Sequence, residues 1–210
     1  MDPLLIAIIV SLVILGGIYY YTSNMSKSTV KNMDLRGKEL AVALGLPVTD
    51  MPKNQLSSFH TIELNGIVKD REFYFTSFTR SEKTSSSFTT QFSWKIKGSE
   101  NNRVIISKEG IVTTFQKQFG VKDTQIGEKD FDDLFLVKCD DPTYAKRVLN
   151  SEFIRYFIKH AKILYGTIII HHQEVHYEES GVLSNEQDLQ RLLRLIELCR
   201  LIAIETEKNV

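Results

Sequence analysis

Leu4 to Tyr21 is a run of eighteen uncharged, almost wholly apolar residues, and it constrains the chain more than any other feature. At about 1.5 Å per residue a helix of that length spans roughly 27 Å, close to the hydrocarbon thickness of a bilayer. Backbone groups in lipid must pair within their own segment, so a helix is the form such a run takes. The sequence therefore predicts a transmembrane anchor over residues 1–22, a juxtamembrane linker over 23–34 and a folded domain over 35–210. A cleaved signal peptide fits less well. Met1-Asp2-Pro3 carries no Lys or Arg, and Tyr19-Tyr20-Tyr21-Thr22 offers no small-residue cleavage site. A buried core helix fits least. The three tyrosines match an interfacial aromatic belt instead. Gly16-Gly17 is not a GxxxG pair, so it does not specify dimerisation, and an oligomer remains open.

Orientation follows from basic residues beside the run. None precedes it, whereas Lys27, Lys31, Arg36 and Lys38 lie within the next seventeen residues. The positive-inside bias then places the N-terminus outside and the domain in the cytoplasm. Cys139 and Cys199 are the only cysteines. Two thiols make no disulfide framework and suit a reducing compartment. Charge balances at 26 basic and 26 acidic residues, with no basic block, which argues against a nucleic-acid partner.

In the domain, hydrophobic periodicity predicts a short helix over Leu35–Leu44, stopped by Gly45 and Pro47. Strands follow. Ile62, Leu64 and Val68 alternate with polar residues, and Lys69-Asp70 turns the chain into Glu72–Thr79. Ser87–Lys97 places Phe88, Phe92, Trp94 and Ile96 on one face. Val104-Ile105-Ile106 reads as a short buried strand, Ile111–Phe119 as a short helix, and Phe131–Lys138 as a central strand. Asp141-Pro142 opens a helical stretch towards Lys162, broken near Ser151. Tyr165–His171 and Val175–Glu179 form a hairpin. Ser184 with Gln187 reads as a capping box for a last helix with Leu189, Leu192, Leu193, Ile196, Cys199, Ile202 and Ala203 inward. The predicted class is α+β, a largely antiparallel sheet with one wet face and helices packed on the other.

The stretch Phe131-Asp132-Asp133-Leu134-Phe135-Leu136-Val137, followed by Asp141-Pro142, Ala145 and Leu149, resembles a pattern in uncharacterised bacterial membrane-anchored proteins. In them an FD-x-x-F-x-V strand precedes a helix, a hairpin and a final helix. Leu64-Asn65-Gly66 and Arg71 are similar to their upstream hairpin, where Gly often replaces Asp70. The resemblance implies this fold and a setting at a bacterial cell (inner) membrane, and it brings no assigned activity.

Candidate chemistry is thin. His172, Glu174 and His176 would share a strand face and suit zinc, but His171-His172-Gln173-Glu174-Val175-His176 matches neither H-E-x-x-H nor H-x-x-E-H. His172-x-Glu174 lacks the P-C-x-x-C of a zinc deaminase. The segment reads as the hairpin turn, which would splay these side chains. Glu128, Asp130, Asp132, Asp133, Asp140 and Asp141 suit a divalent cation or an acid–base pair, and equally suit helix caps. Cys139 with His60 or His160 is a nucleophile pair only if they meet in space. Phe73, Phe75, Phe88, Phe92 and Trp94 form either a ligand platform or a core. No phosphate loop, G-x-S-x-G or kinase set occurs.

The expectation is a non-enzymatic binding or scaffolding module without cofactor, held on the lipid bilayer and recognising a protein or lipid headgroup. The alternative is a membrane-tethered, metal-dependent hydrolase built on the acidic group or on His171–His176. Convergence of His172, His176, Asp130 and Asp132 in one pocket would favour the enzyme.

Overall fold

The computed structural model describes residues 28–48, 59–81, 86–98, 102–108, 123–171 and 173–208. Leu4–Tyr21, the expected helix at Ile111–Phe119 and His172 lie outside the described residues. No described helix is long and apolar enough to cross a membrane.

Helix α1 spans 28–44 and ends at Gly45, whose φ of 69° suits a residue without Cβ. It starts earlier than the expected Leu35 and takes in 28–34, which composition alone reads as linker. Met33, Leu40 and Ala41 explain the extension: they fall on one helical face and are buried. Strands β1 (Phe59–Val68), β2 (Arg71–Ser81), β3 (Ser86–Lys95) and β4 (Val104–Lys108) follow. After them come a one-turn helix α2 (Lys129–Asp132), strand β5 (Phe135–Cys139), and helices α3 (Pro142–Val148) and α4 (Ser151–His160). Strands β6 (Thr167–His171) and β7 (Glu174–Ser180) lead to the long helix α5 (Glu186–Lys208).

The seven strands form one sheet in the order β1-β2-β3-β7-β6-β4-β5, and every neighbouring pair is antiparallel. Lys69 and Asp70 have φ of 47° and 64° and close the two-residue β1–β2 hairpin. Positive φ at both centres is what the right-handed strand twist asks of so short a loop.

Register assigns the faces. Leu64, Phe75, Phe92, Tyr177, Ile168 and Ile106 lie in line across six strands, on the face that packs on the helices. Trp94 on that face donates its indole N–H to the Ile196 carbonyl at 2.9 Å, which fixes α5 over the sheet. Leu46, just past α1, occupies the space a side chain at Gly66 would need, since a Cβ there would come within 2.6 Å of its Cδ2. At the other end Phe135 packs edge-on to Phe157 of α4 at 5.6 Å. The opposite face is half-exposed and polar on β3 at Thr89, Gln91 and Ser93, but Ile105 and Ile169 are buried there, so the wet face is partial.

Four details correct the sequence expectations. The Phe131–Lys138 segment divides: Phe131 belongs to α2 and the strand begins at Phe135. That strand is an edge, not central, and its alternating burial follows from having one covered face. The last helix is capped by Asn185, whose Oδ1 accepts the Asp188 N–H at 2.9 Å, one residue beyond the expected Ser184. Its buried stripe also includes Leu195 and Leu198, while Leu193 is only partly buried. The break near Ser151 is present, with Asn150 capping α4 through the Phe153 N–H at 3.0 Å.

Candidate functional site

The acidic residues are held by scaffold bonds. Asp132 accepts the N–H groups of Ile126 and Gly127 at 3.0 and 2.9 Å, pinning the loop before α2. Asp140 accepts from the Arg103 backbone N–H and guanidinium, each at 3.2 Å. Asp141 caps α3 by accepting the Thr143 N–H at 2.8 Å, and Asp133 forms the C-cap of α2. Glu128 and Asp130 open onto a groove of about 390 Å³ shared with Lys129, Ser151, Ile154, Arg155 and Ile158. Its charged side chains are exposed and mixed in sign, which leaves them bathed in water.

Glu174 and His176 are strand residues on the partly wet face of β7, not members of a splayed turn. The shared face of the sequence reading is therefore real for these two. Glu174 lies 3.8 Å from the Lys95 ammonium, and His176 Nε2 lies 3.9 Å from a Glu178 oxygen. Among the described residues no group of three or more His, Cys, Asp or Glu is placed to hold a metal ion. His176 is on β7, whereas Asp130 and Asp132 sit on α2 against α4, so these three do not meet.

The thiols are structural. Cys139 donates to the Thr124 hydroxyl at 3.3 Å, and burial pushes its pKa up. His160 packs tilted against Tyr156, ring centroids 4.4 Å apart, and its pKa is lowered from the ordinary histidine value, first by burial and then by Lys159 and Arg194. Cys139 therefore does not pair with His160, in keeping with inert packing of the thiol. The aromatic stripe belongs to the core. Phe73, Phe75, Phe92 and Trp94 are buried beneath the helices, with Phe73 and Trp94 rings 4.7 Å apart, and only Phe88 is exposed. Their alternation marks the covered face.

The surface that sequence reasoning missed lies on the other face of β1–β3. Ile67 is 64% exposed and Tyr74 38% exposed. They line a largely apolar groove of about 340 Å³ with Asn65, Gly66, Glu72, Ser93 and Lys95. A signal was present. Ile67 is out of phase with Ile62, Leu64 and Val68, so a strand there must turn a large apolar side chain outward. The groove adjoins β1, which ends the sheet.

These features define an α+β domain with a seven-stranded antiparallel sheet, helices on one face and an apolar groove on the other. Its fold is similar to the crystal structure of the mycobacterial trehalose monomycolate transport factor A, TtfA. The TM-score is 0.54 at 9% identity, over 84% of this chain and 93% of that one. At that identity the likeness shows the fold alone. No family model matches the chain, and no curated protein matches it.

Proposed function

We propose that this chain is a single-pass protein of a bacterial inner membrane. Its cytoplasmic domain is a non-enzymatic binding or scaffolding module, anchored by Leu4–Tyr21. The observation that carries the reading is how the domain divides its side chains. Asp132, Asp140, Asp141 and Cys139 are engaged in holding the scaffold. The exposed apolar residues Ile67 and Tyr74 gather instead beside β1, the last strand of the sheet among the described residues. A strand edge next to an apolar groove suits an extended segment of a protein partner, with main-chain pairing for affinity and the groove for selectivity.

Two readouts on the full chain in intact cells test this. A C-terminal reporter active in one compartment only, with protease accessibility as a cross-check, is expected to place the domain in the cytoplasm. An external C-terminus would refute that orientation. A photo-cross-linking residue at Tyr74 is expected to trap a discrete partner, while one at Glu152 on α4 is not. Equal trapping at both positions would remove the groove from the proposal.

A further inference from the structure

Helix α1 has two faces with different surroundings. Inward, Met33, Leu40 and Ala41 enter the core. Outward, Lys31, Leu35, Lys38 and Val42 follow one another at spacings of four, three and four residues, which puts them on a single stripe. Both lysines are exposed, and Leu35 and Val42 are 49% and 70% exposed. Two acids flank the stripe, Asp34 on one side and Glu39 on the other, and Glu39 is engaged by Arg36, which also reaches Glu186 on α5 at 2.5 Å. Lys31 and Lys38 carry the stripe's own charge, with Leu35 between them and Val42 one turn beyond. That pattern suits a helix lying in the interface of an anionic bilayer.

The length of chain before α1 says what surface covers it. Only six residues, 22–27, separate Tyr21 from Ser28, where the helix begins. Fully extended they reach about 20 Å. With Leu4–Tyr21 in the bilayer, the first turn of α1 is held within that distance of the headgroups. We infer that the outer stripe of α1 rests on anionic lipid, Lys31 and Lys38 at the phosphates and Leu35 and Val42 at the acyl boundary. This rests on the anchor proposed above and adds an orientation to it. Because α1 packs on the helical side of the sheet, seating the stripe on lipid turns the Ile67–Tyr74 groove towards the cytosol.

The test places an environment-sensitive fluorophore at Val42→Cys or, as a control on the opposite face, at Ile67→Cys. The full chain is labelled folded, when Cys139 and Cys199 are buried. It is then reconstituted into phosphatidylcholine vesicles with or without phosphatidylglycerol, and quenching by spin-labelled lipid is read. Flotation of the chain with the vesicles reports the anchor separately. The expected result is blue-shifted, lipid-quenched emission at 42 in phosphatidylglycerol vesicles and neither effect at 67. Lys31→Glu with Lys38→Glu should abolish the quenching at 42 while the chain still floats. If the chain floats and 42 is quenched no more than 67, the inference is overturned and the anchor stands. A blue shift at 42 without lipid quenching would overturn it in favour of a second protein surface. Failure to float would overturn the anchor and the inference together. Leu35→Cys repeats the reading at a second position on the stripe.

Discussion

Arg191 on α5 grips Glu179 on β7 with both terminal nitrogens, at 2.7 and 2.5 Å, and Glu179 is only 4% exposed. The Tyr177 hydroxyl donates to the same carboxylate at 2.6 Å, and the guanidinium lies over the Tyr165 ring at 4.5 Å. Burial and the adjacent Glu179 hold the Tyr177 pKa well above its ordinary range. The group ties the last helix to the middle of the sheet through charges removed from water. Such a pair contributes little net energy against an apolar replacement, yet breaking one side of it is costly.

Glu179→Ala should therefore destabilise the domain by about 3–5 kcal/mol, because it leaves the Arg191 charge buried with Asp188, at 3.8 Å, in place of its close bidentate partner. Glu179→Leu with Arg191→Met should recover most of that loss. Urea denaturation midpoints of the three proteins check it, and equal losses in the single and double variants would contradict it.

Acid should weaken the fold in two stages. Arg71 donates two bonds of 2.6 Å to Glu207, and this lowers the Glu207 pKa; Arg200 does the same for Glu197. A carboxyl whose pKa is depressed on folding stabilises above its unfolded value, and loses that contribution as pH falls through the folded one. His160, depressed chiefly by burial, must be protonated on unfolding and so costs stability from about pH 6.5 downward. Unfolding midpoints should thus begin to fall near the histidine range and fall again below about pH 4.5. Glu207→Gln should lose about 1.5 kcal/mol at neutral pH and flatten the second stage. An unchanged acid limb would refute that assignment.

Cys199 is fully buried in α5 and its thiol is pushed far towards the neutral form by burial. Maleimide should modify it only at the rate of global opening, as read by mass spectrometry across a denaturant series. Cys199→Ser should cost about 1–3 kcal/mol by burying a hydroxyl among apolar neighbours.

Asp70 carries a left-handed conformation that glycine adopts without strain. Asp70→Gly should stabilise the β1–β2 hairpin by up to about 1 kcal/mol, whereas Asp70→Val should destabilise it by a similar amount or more. Thermal unfolding of both variants settles the sign.

Gly166 faces a tighter limit. A Cβ there would lie 2.0 Å from the Glu178 carbonyl oxygen and 2.7 Å from the Glu179 Cβ. Gly166→Ala must push β7 away and should cost more than about 3 kcal/mol. A stability within about 0.5 kcal/mol of the parent would show that the backbone yields.

Legibility in the sequence tracked how local each cause is. The alternation of Phe92 and Trp94, the Lys69-Asp70 turn and the Asp141-Pro142 start are decided by neighbours a few residues apart, and each is where the pattern places it. The cap of α5 was displaced by one residue because Ser184 and Asn185 both carry a suitable oxygen and only backbone geometry chooses between them. The candidate site was less legible. The acidic residues looked like a cluster in the string, but their partners, Arg103 for Asp140 and the Ile126 and Gly127 amides for Asp132, are supplied by folding.

Periodicity and turn chemistry were enough for an α+β chain, its strand faces and its hairpins, together with the apolar run at Leu4–Tyr21. Packing set the rest: β5 at the end of the strand order, β3 beside β7, Arg191 on Glu179, and Ile67 and Tyr74 in one groove. Periodicity tells a residue which side of its own element to occupy. It carries no information about which distant element will cover that side, because that choice is made by the packing of all of them at once.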